Sequence, residues 1–148
     1  MLTDLITQMQ NELNTHCDGY VQRFEDILEQ VATLNDPACI AQLLRFFNDD
    51  EKYDERMFAI IHTIERFDDA TYIRSIVEHL ESFFTATPRW AIIVQMRILN
   101  SPSTLAAYSD CVRSLPHDMR AVIRKVLENV RQKNSKFDSP CNSLLAVI

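Results

Sequence analysis

Apolar residues recur every three or four positions along nearly the whole chain, as in Val21, Phe24, Leu28 and Val31. This spacing gathers apolar side chains on one face of an α-helix, whereas a half-buried strand needs alternation with a period of two residues. Such alternation is hard to find here. The chain also has a single glycine, Gly19, although tight hairpin turns generally need several residues that accept positive φ. The sequence therefore predicts an all-α fold of about eight helices.

Three consecutive stretches, residues 36–67, 68–100 and 101–133, share one layout of helix, polar turn and helix. Their second helices also resemble one another, because Phe58-Ala59-Ile60-Ile61 is matched 32 residues later by Trp90-Ala91-Ile92-Ile93 and, more weakly, by Arg120-Ala121-Val122-Ile123. A period of this length is typical of helical-hairpin repeats. We predict one domain over residues 1–148, built from antiparallel hairpins that stack like HEAT repeats or form an irregular bundle. Residues 134–148 are expected to be a tail that folds back onto the body.

The N-terminal segment carries Asp4 and Glu12 and lacks a basic start or an uninterrupted apolar stretch. It resembles neither a signal peptide nor a membrane anchor, so we expect a cytoplasmic protein. The cysteines are far apart and show no zinc-binding spacing. We expect them to be reduced and mostly buried in the core. They are Cys17, Cys39, Cys111 and Cys141.

Catalytic motifs are scarce. The chain has no glycine-rich phosphate loop, and none of its histidines accompanies a recognisable nucleophile. These histidines are His16, His62, His79 and His117. His62 with Glu65, and the neighbouring Glu78 and His79, resemble parts of a metal site, but a ferritin-like site needs Glu-x-x-His twice and two further carboxylates. We expect no enzyme, metal or cofactor, and keep a small helical metalloenzyme using these four residues as a third hypothesis.

The charge distribution is uneven. Residues 1–81 contain 17 acidic and six basic side chains, whereas residues 82–148 contain four and nine. The acidic residues concentrate at predicted turns, namely Asp49, Asp50, Glu51, Asp54, Glu55, Asp68 and Asp69. If the hairpins stack, these turns share one edge with Tyr53 and Tyr72, which could serve as aromatic anchors. Such a surface predicts a basic protein partner and disfavours nucleic acid; the alternative is helix caps and solvated loop charges.

The segment from Asp49 to Asn100 also carries three short motifs. They are Asp54-x-x-Met57-Phe58-x-Ile60-Ile61-His62-x-Ile64-Glu65, Pro88-x-Trp90-Ala91 and Arg97-Ile98-Leu99-Asn100-Ser101. Together they resemble an all-helical family of bacterial immunity proteins encoded beside polymorphic or contact-dependent growth-inhibition toxins. The resemblance implies a cytosolic antidote that binds the C-terminal domain of a toxin, often a nuclease, and blocks its active site. No membrane is involved in that role.

The leading functional hypothesis combines this resemblance with the acidic turns. Nucleases are commonly basic because they bind phosphate, so an acidic inhibitor surface would complement them. The motif residues His62, Glu65, Trp90, Arg97 and Asn100 are either structural or in direct contact with the toxin, and we favour the structural role. The alternative function is a non-enzymatic helical-repeat adaptor that docks a peptide or helix in its groove.

Overall fold

A computed structural model of the chain describes residues 1–15 and 18–148, and all regular structure in those ranges is helical. The α-helices are α1 Leu2–Leu13, α2 Tyr20–Leu34, α3 Ala38–Leu44, α4 Asp54–Ile64, α5 Asp69–Glu78, α6 Leu80–Ala86, α7 Pro88–Leu99, α8 Pro102–Val112, α9 His117–Lys133 and α10 Asp138–Leu145, with a 3-10 helix at Ser135–Phe137. The predicted all-α class is confirmed. The described ranges hold ten α-helices where we expected about eight.

Two features explain the higher count. The apolar spacing from Ile73 to Phe83 predicts one helix that starts at Asp69. The structure divides this helix at His79, whose backbone adopts φ −114° and ψ 9°. The His79 ring nitrogen Nδ1 lies 2.9 Å from the carbonyl oxygen of Ser75, so the imidazole bonds to the preceding turn where the helix ends. The second addition is α10, which forms within the segment we predicted as a tail.

Helix starts follow the local chemistry of capping and proline. The Asp36 carboxylate accepts a 3.0 Å hydrogen bond from the Ala38 backbone N–H at the start of α3. Helices α7 and α8 begin at Pro88 and Pro102, where proline sacrifices no intrahelical hydrogen bond. Helix α9 follows Pro116. The sequence alone predicts each of these starts, from the capping residue Asp36 and from the prolines Pro88, Pro102 and Pro116.

The chain divides into two compact units, Met1–Asp68 and Asp69–Ile148. In the first unit α2 packs against both α1 and α4. Its core is aliphatic and aromatic, with Met9, Phe24, Val31, Ile40, Leu43, Met57, Ile60, Ile61 and Ile64 among the fully buried side chains. This unit contains 14 acidic and five basic residues, a formal net charge of −9. The predicted single domain over residues 1–148 stays a prediction.

The second unit is an irregular bundle. Helix α8 packs mainly on α5, α7 packs on α6 and α9, and α10 packs on α9 and α8. The hairpin stack would have paired α8 with α9 in the stretch 101–133, whereas α8 packs mainly on α5, so the irregular alternative describes this unit better. Tyr108 on α8 is fully buried and donates a 3.0 Å hydrogen bond to Gln95 Oε1. The C-terminal segment is anchored by Phe137, Cys141 and Leu144, which are buried.

In the described part of the chain no helix has the length and apolar character needed to cross a bilayer. Cys39, Cys111 and Cys141 are free thiols, and Cys39 and Cys141 are fully buried. Burial raises the pKa of both Cys39 and Cys141 to about 11. The predictions made for His16 and Cys17 concern residues outside the described ranges.

We expect Cys39 and Cys141 to resist thiol reagents in the native protein. Reaction requires the thiolate, and a rise in pKa of about two units lowers the thiolate fraction about a hundredfold at neutral pH. The measurement is the rate of reaction with Ellman's reagent in a Cys17→Ser, Cys111→Ser variant. Denaturant should release two rapidly reacting thiols per chain. Equal rates before and after denaturation would contradict the burial of these sulfurs.

A candidate protein-binding surface

The segment 48–56, which joins α3 to α4 and enters α4, carries most of the predicted binding residues. Its turn is closed locally, since the Asn48 side-chain oxygen accepts a 2.9 Å hydrogen bond from the Asp50 backbone N–H. Asp54 and Glu55 occupy the first turn of α4, where carboxylates interact favourably with the helix dipole. The N-cap residue of α4 is Tyr53, so Asp54 and Glu55 are first-turn residues and not caps, and this position does not prevent them from contributing to a charged surface.

Glu51 differs from its acidic neighbours because its side chain is only 8% exposed. Its Oε1 atom accepts hydrogen bonds from Arg56 Nη2 at 2.7 Å and from Arg56 Nε at 3.2 Å. The Arg56 side chain is itself only 1% exposed. We predicted Glu51 as part of the exposed surface. The structure instead makes it one half of a buried ion pair, because Arg56 needs a compensating carboxylate.

The Arg56 guanidinium links the segment to the two N-terminal helices. Its Nη1 atom donates to the backbone carbonyl of Glu12 at 3.3 Å, near the end of α1. Its central carbon lies 4.9 Å from the ring centroid of Tyr20 and 5.8 Å from that of Phe24, both on α2. Cation–π contacts of this kind are worth most where water is excluded. Sequence reasoning missed both Arg56 and Tyr20.

An open cavity of about 500 Å³ lies beside this ion pair. It is lined by Leu13, Tyr20, Asn48, Asp50, Glu51, Lys52, Tyr53 and Arg56. We call it the Tyr20–Tyr53 cavity. The two ring centroids are 6.0 Å apart and the rings are tilted by 55°. Tyr53 is 42% exposed and, with Met1, is one of two large apolar residues exposed in the described ranges. It therefore has the character of an interface anchor.

The electrostatics of the cavity are dominated by carboxylates. The segment from Asn48 to Arg56 contains five acidic and two basic residues. Desolvation raises the pKa of the Tyr20 hydroxyl, with further upward contributions from Tyr53, Glu51 and Glu55 and an opposing one from Arg56. The remaining cation, Lys52, has its Nζ atom 5.5 Å from the Tyr53 ring centroid. The chain thus offers a negatively charged opening with aromatic walls.

The second predicted acidic group lies elsewhere in the chain. Asp68 is the last residue of the first unit, and Asp69 begins α5 in the second. Tyr72, on α5, is only 2% exposed. The Tyr72 ring belongs to the buried face of α5. Because it is buried, it cannot serve as the exposed anchor that we predicted. A single edge shared by both acidic groups stays a prediction.

Three of the motif residues lie in α7 or at its end. Trp90 is fully buried, and the Arg89 guanidinium carbon lies 5.0 Å from its ring centroid. Asn100 is the C-cap residue, and its backbone N–H donates to the Met96 carbonyl at 3.0 Å. Arg97 is exposed in the last turn, where a cation is favoured by the helix dipole. The burial of Trp90 agrees with a structural role, whereas Arg97 and Asn100 are exposed and their roles stay predictions.

The residues of the metalloenzyme hypothesis do not form a recognisable metal centre. His62 is exposed on α4 and Glu65 is the C-cap residue of that helix. Glu78 is exposed at the end of α5, and His79 Nδ1 is engaged with a backbone carbonyl. Across residues 1–15 and 18–148, no group of three or more His, Cys, Asp or Glu side chains is arranged to hold a metal ion.

Comparison with known families tests the resemblance. The family model described as Immunity protein 30 matches residues 10–108, about two thirds of the chain. The chain belongs to the Immunity protein 30 family. The resemblance to bacterial immunity proteins is confirmed at this level. The matched range includes the whole Tyr20–Tyr53 cavity and Trp90, and it ends within α8. Searches of curated proteins and of solved structures found no match.

Proposed function

We propose that this member of the Immunity protein 30 family binds and neutralises a cognate bacterial toxin domain, without catalysis and without a cofactor. The partner we propose is a basic nuclease domain, and the segment 48–56 covers its active site. The observation that carries this proposal is the acidic opening around the exposed ring of Tyr53. Aromatic residues with an apolar face and a polar tip are common anchors at protein interfaces.

Electrostatics support a basic partner. The first unit has a formal net charge of −9, and five of the nine residues in segment 48–56 are carboxylates. A field of this sign accelerates association with a positively charged protein and repels nucleic acid. The active site of a nuclease must attract phosphate, so its cations would be matched by these carboxylates. Inhibition then follows from steric exclusion of the substrate. The proposed setting is the cytoplasm of the producing cell.

Coexpression with the toxin gene encoded beside this chain tests the proposal. Cells that produce both proteins should survive, and affinity purification should recover a complex. The Asp50→Lys, Glu55→Lys variant should protect poorly because both side chains are exposed on segment 48–56. The control is Asp4→Lys, Glu25→Lys, which changes the net charge equally at exposed positions outside the cavity. Death of cells carrying the wild-type pair would contradict the proposal.

Salt dependence distinguishes this function from that of an adaptor. We expect the association rate constant with the toxin domain to fall about tenfold or more between low and high salt, because screening removes long-range attraction. Stopped-flow measurements over a salt series provide the test. A rate independent of salt would favour the adaptor, whose groove would bind a peptide or helix mainly through apolar burial.

A further inference from the structure

We infer that one cationic side chain of the partner, an arginine or a lysine, enters the Tyr20–Tyr53 cavity and is bound there by Glu51 and the tyrosine rings. The inference deepens the proposed function and rests on it, since it names the group that the acidic surface recognises. A general negative surface would attract many basic groups equally. The cavity gives one of them a defined position.

The first support is the hydrogen-bonding state of Glu51. Both hydrogen bonds from Arg56 go to Oε1, and no donor among the residues described reaches Oε2. The side chain is more than nine-tenths buried, yet it lines the cavity. A carboxylate oxygen held in such a place favours a ligand that donates a hydrogen bond. A guanidinium or ammonium group is the donor that also compensates charge.

The second support is the aromatic wall. The faces of tyrosine rings attract cations, and both rings already contact one, Arg56 over Tyr20 at 4.9 Å and Lys52 over Tyr53 at 5.5 Å. Arg56 is fixed in the protein interior. Lys52 is exposed and carries its charge on a flexible stem. In the free protein Lys52 therefore occupies the cation position over Tyr53, and a partner side chain displaces it.

The third support is charge. Segment 48–56 carries five carboxylates against two cations, so an anionic group would meet net repulsion while a cationic group meets attraction. Asp50 is exposed and lines the cavity, where it extends this attraction toward the solvent. The cavity volume of about 500 Å³ leaves ample room for one long side chain.

Affinity measurements with the toxin domain give the sharpest test. Lys52→Ala should tighten binding at least about threefold more than Arg66→Ala, an equal charge change at an exposed position that lines neither this cavity nor the pocket beside it. Tyr53→Leu should weaken binding about tenfold, and Tyr53→Phe should weaken it less because the ring face remains. Equal effects of the two cation removals, with Tyr53→Leu binding as tightly as wild type, would overturn the inference.

These outcomes are separable from failure of the proposed function. If the wild-type protein forms no complex with the toxin, the function itself is wrong. If it forms the complex and protects cells while the cavity variants bind alike, only the cavity inference is wrong.

A second experiment needs no toxin. The wild-type protein is titrated by NMR with acetyl-arginine amide, acetyl-lysine amide and, as the uncharged control, acetyl-norleucine amide. We expect saturable shifts of the Tyr20 and Tyr53 ring signals with at least one cationic probe, in the millimolar range. Tyr53→Leu should abolish saturation in the Tyr20 signals. Comparison of the two cationic probes identifies the preferred head group. Equal shifts with the norleucine probe, or none with the cations, would overturn the inference.

Discussion

Replacing Arg56 by alanine should lower the free energy of unfolding by about 3–5 kcal/mol, because removal of one partner leaves a buried charge uncompensated. The residue left behind is Glu51, whose side chain is 8% exposed. The change also removes the side chain that fills the space beside the rings of Tyr20 and Phe24. Both losses act on the contacts that join segment 48–56 to α1 and α2.

Urea unfolding followed by far-ultraviolet circular dichroism measures this loss. The matched control is Arg66→Ala, which removes an arginine that is 53% exposed and paired with Glu29 at 2.8 Å. Exposed pairs of this kind contribute about 0–1 kcal/mol. If Arg56→Ala fails to fold, Glu51→Gln removes the opposite charge while keeping the side chain's size. A loss no larger than that of Arg66→Ala in every variant would show that the buried pair does not stabilise the fold.

The helices were largely predictable because the apolar residues that recur at helical spacing in the sequence are the residues that are buried in the structure. Ile60, Ile61 and Ile64 recur at helical spacing in the sequence and are fully buried in α4. The break between α5 and α6 was not predictable from glycine or proline, since neither occurs there. It depends on the backbone conformation of His79 and on its contact with the Ser75 carbonyl, which composition does not reveal.

Helix partners were harder to predict. The similarity between Phe58-Ala59-Ile60-Ile61 and Trp90-Ala91-Ile92-Ile93 suggested equivalent repeats, yet Trp90 is fully buried whereas Phe58 is only partly so. Buried helix faces of unrelated position can use the same small and branched residues, because those residues pack densely in many settings. The similarity between the two segments therefore reflects the packing of both helices in the interior and does not show that they are equivalent repeats.

The candidate surface was predicted in part. Tyr53 stood out as an aromatic residue within an acidic turn, and it is exposed. Charge alone does not distinguish Glu51 from its neighbours Asp49 and Asp50. The sequence therefore did not reveal that Glu51 forms a buried ion pair with Arg56. One signal was overlooked. Arg56 lies in the first turn of a helix, where the dipole disfavours a cation, so a compensating partner was to be expected.

Substitution of Trp90 by alanine should lower the free energy of unfolding by about 3–5 kcal/mol, through lost burial and the cavity left behind. Trp90 is the only tryptophan of the chain and is fully buried in α7. Trp90→Phe should cost less because it removes less volume. Urea unfolding followed by circular dichroism again gives the comparison. Wild-type stability in Trp90→Ala would contradict the packing of α7.

Binding measurements on Trp90→Phe separate a structural role of Trp90 from direct contact with the toxin domain. At a temperature where Trp90→Phe is fully folded, its affinity for the toxin domain should equal that of the wild type, because a fully buried side chain presents no surface to a partner. Tyr53→Leu should show the opposite pattern, with unchanged stability and weakened binding, since its ring is exposed. A folded Trp90→Phe protein that binds poorly would instead assign this residue to the interface. The pair of aromatic variants thus tests whether packing and recognition are carried by different residues within the matched family range.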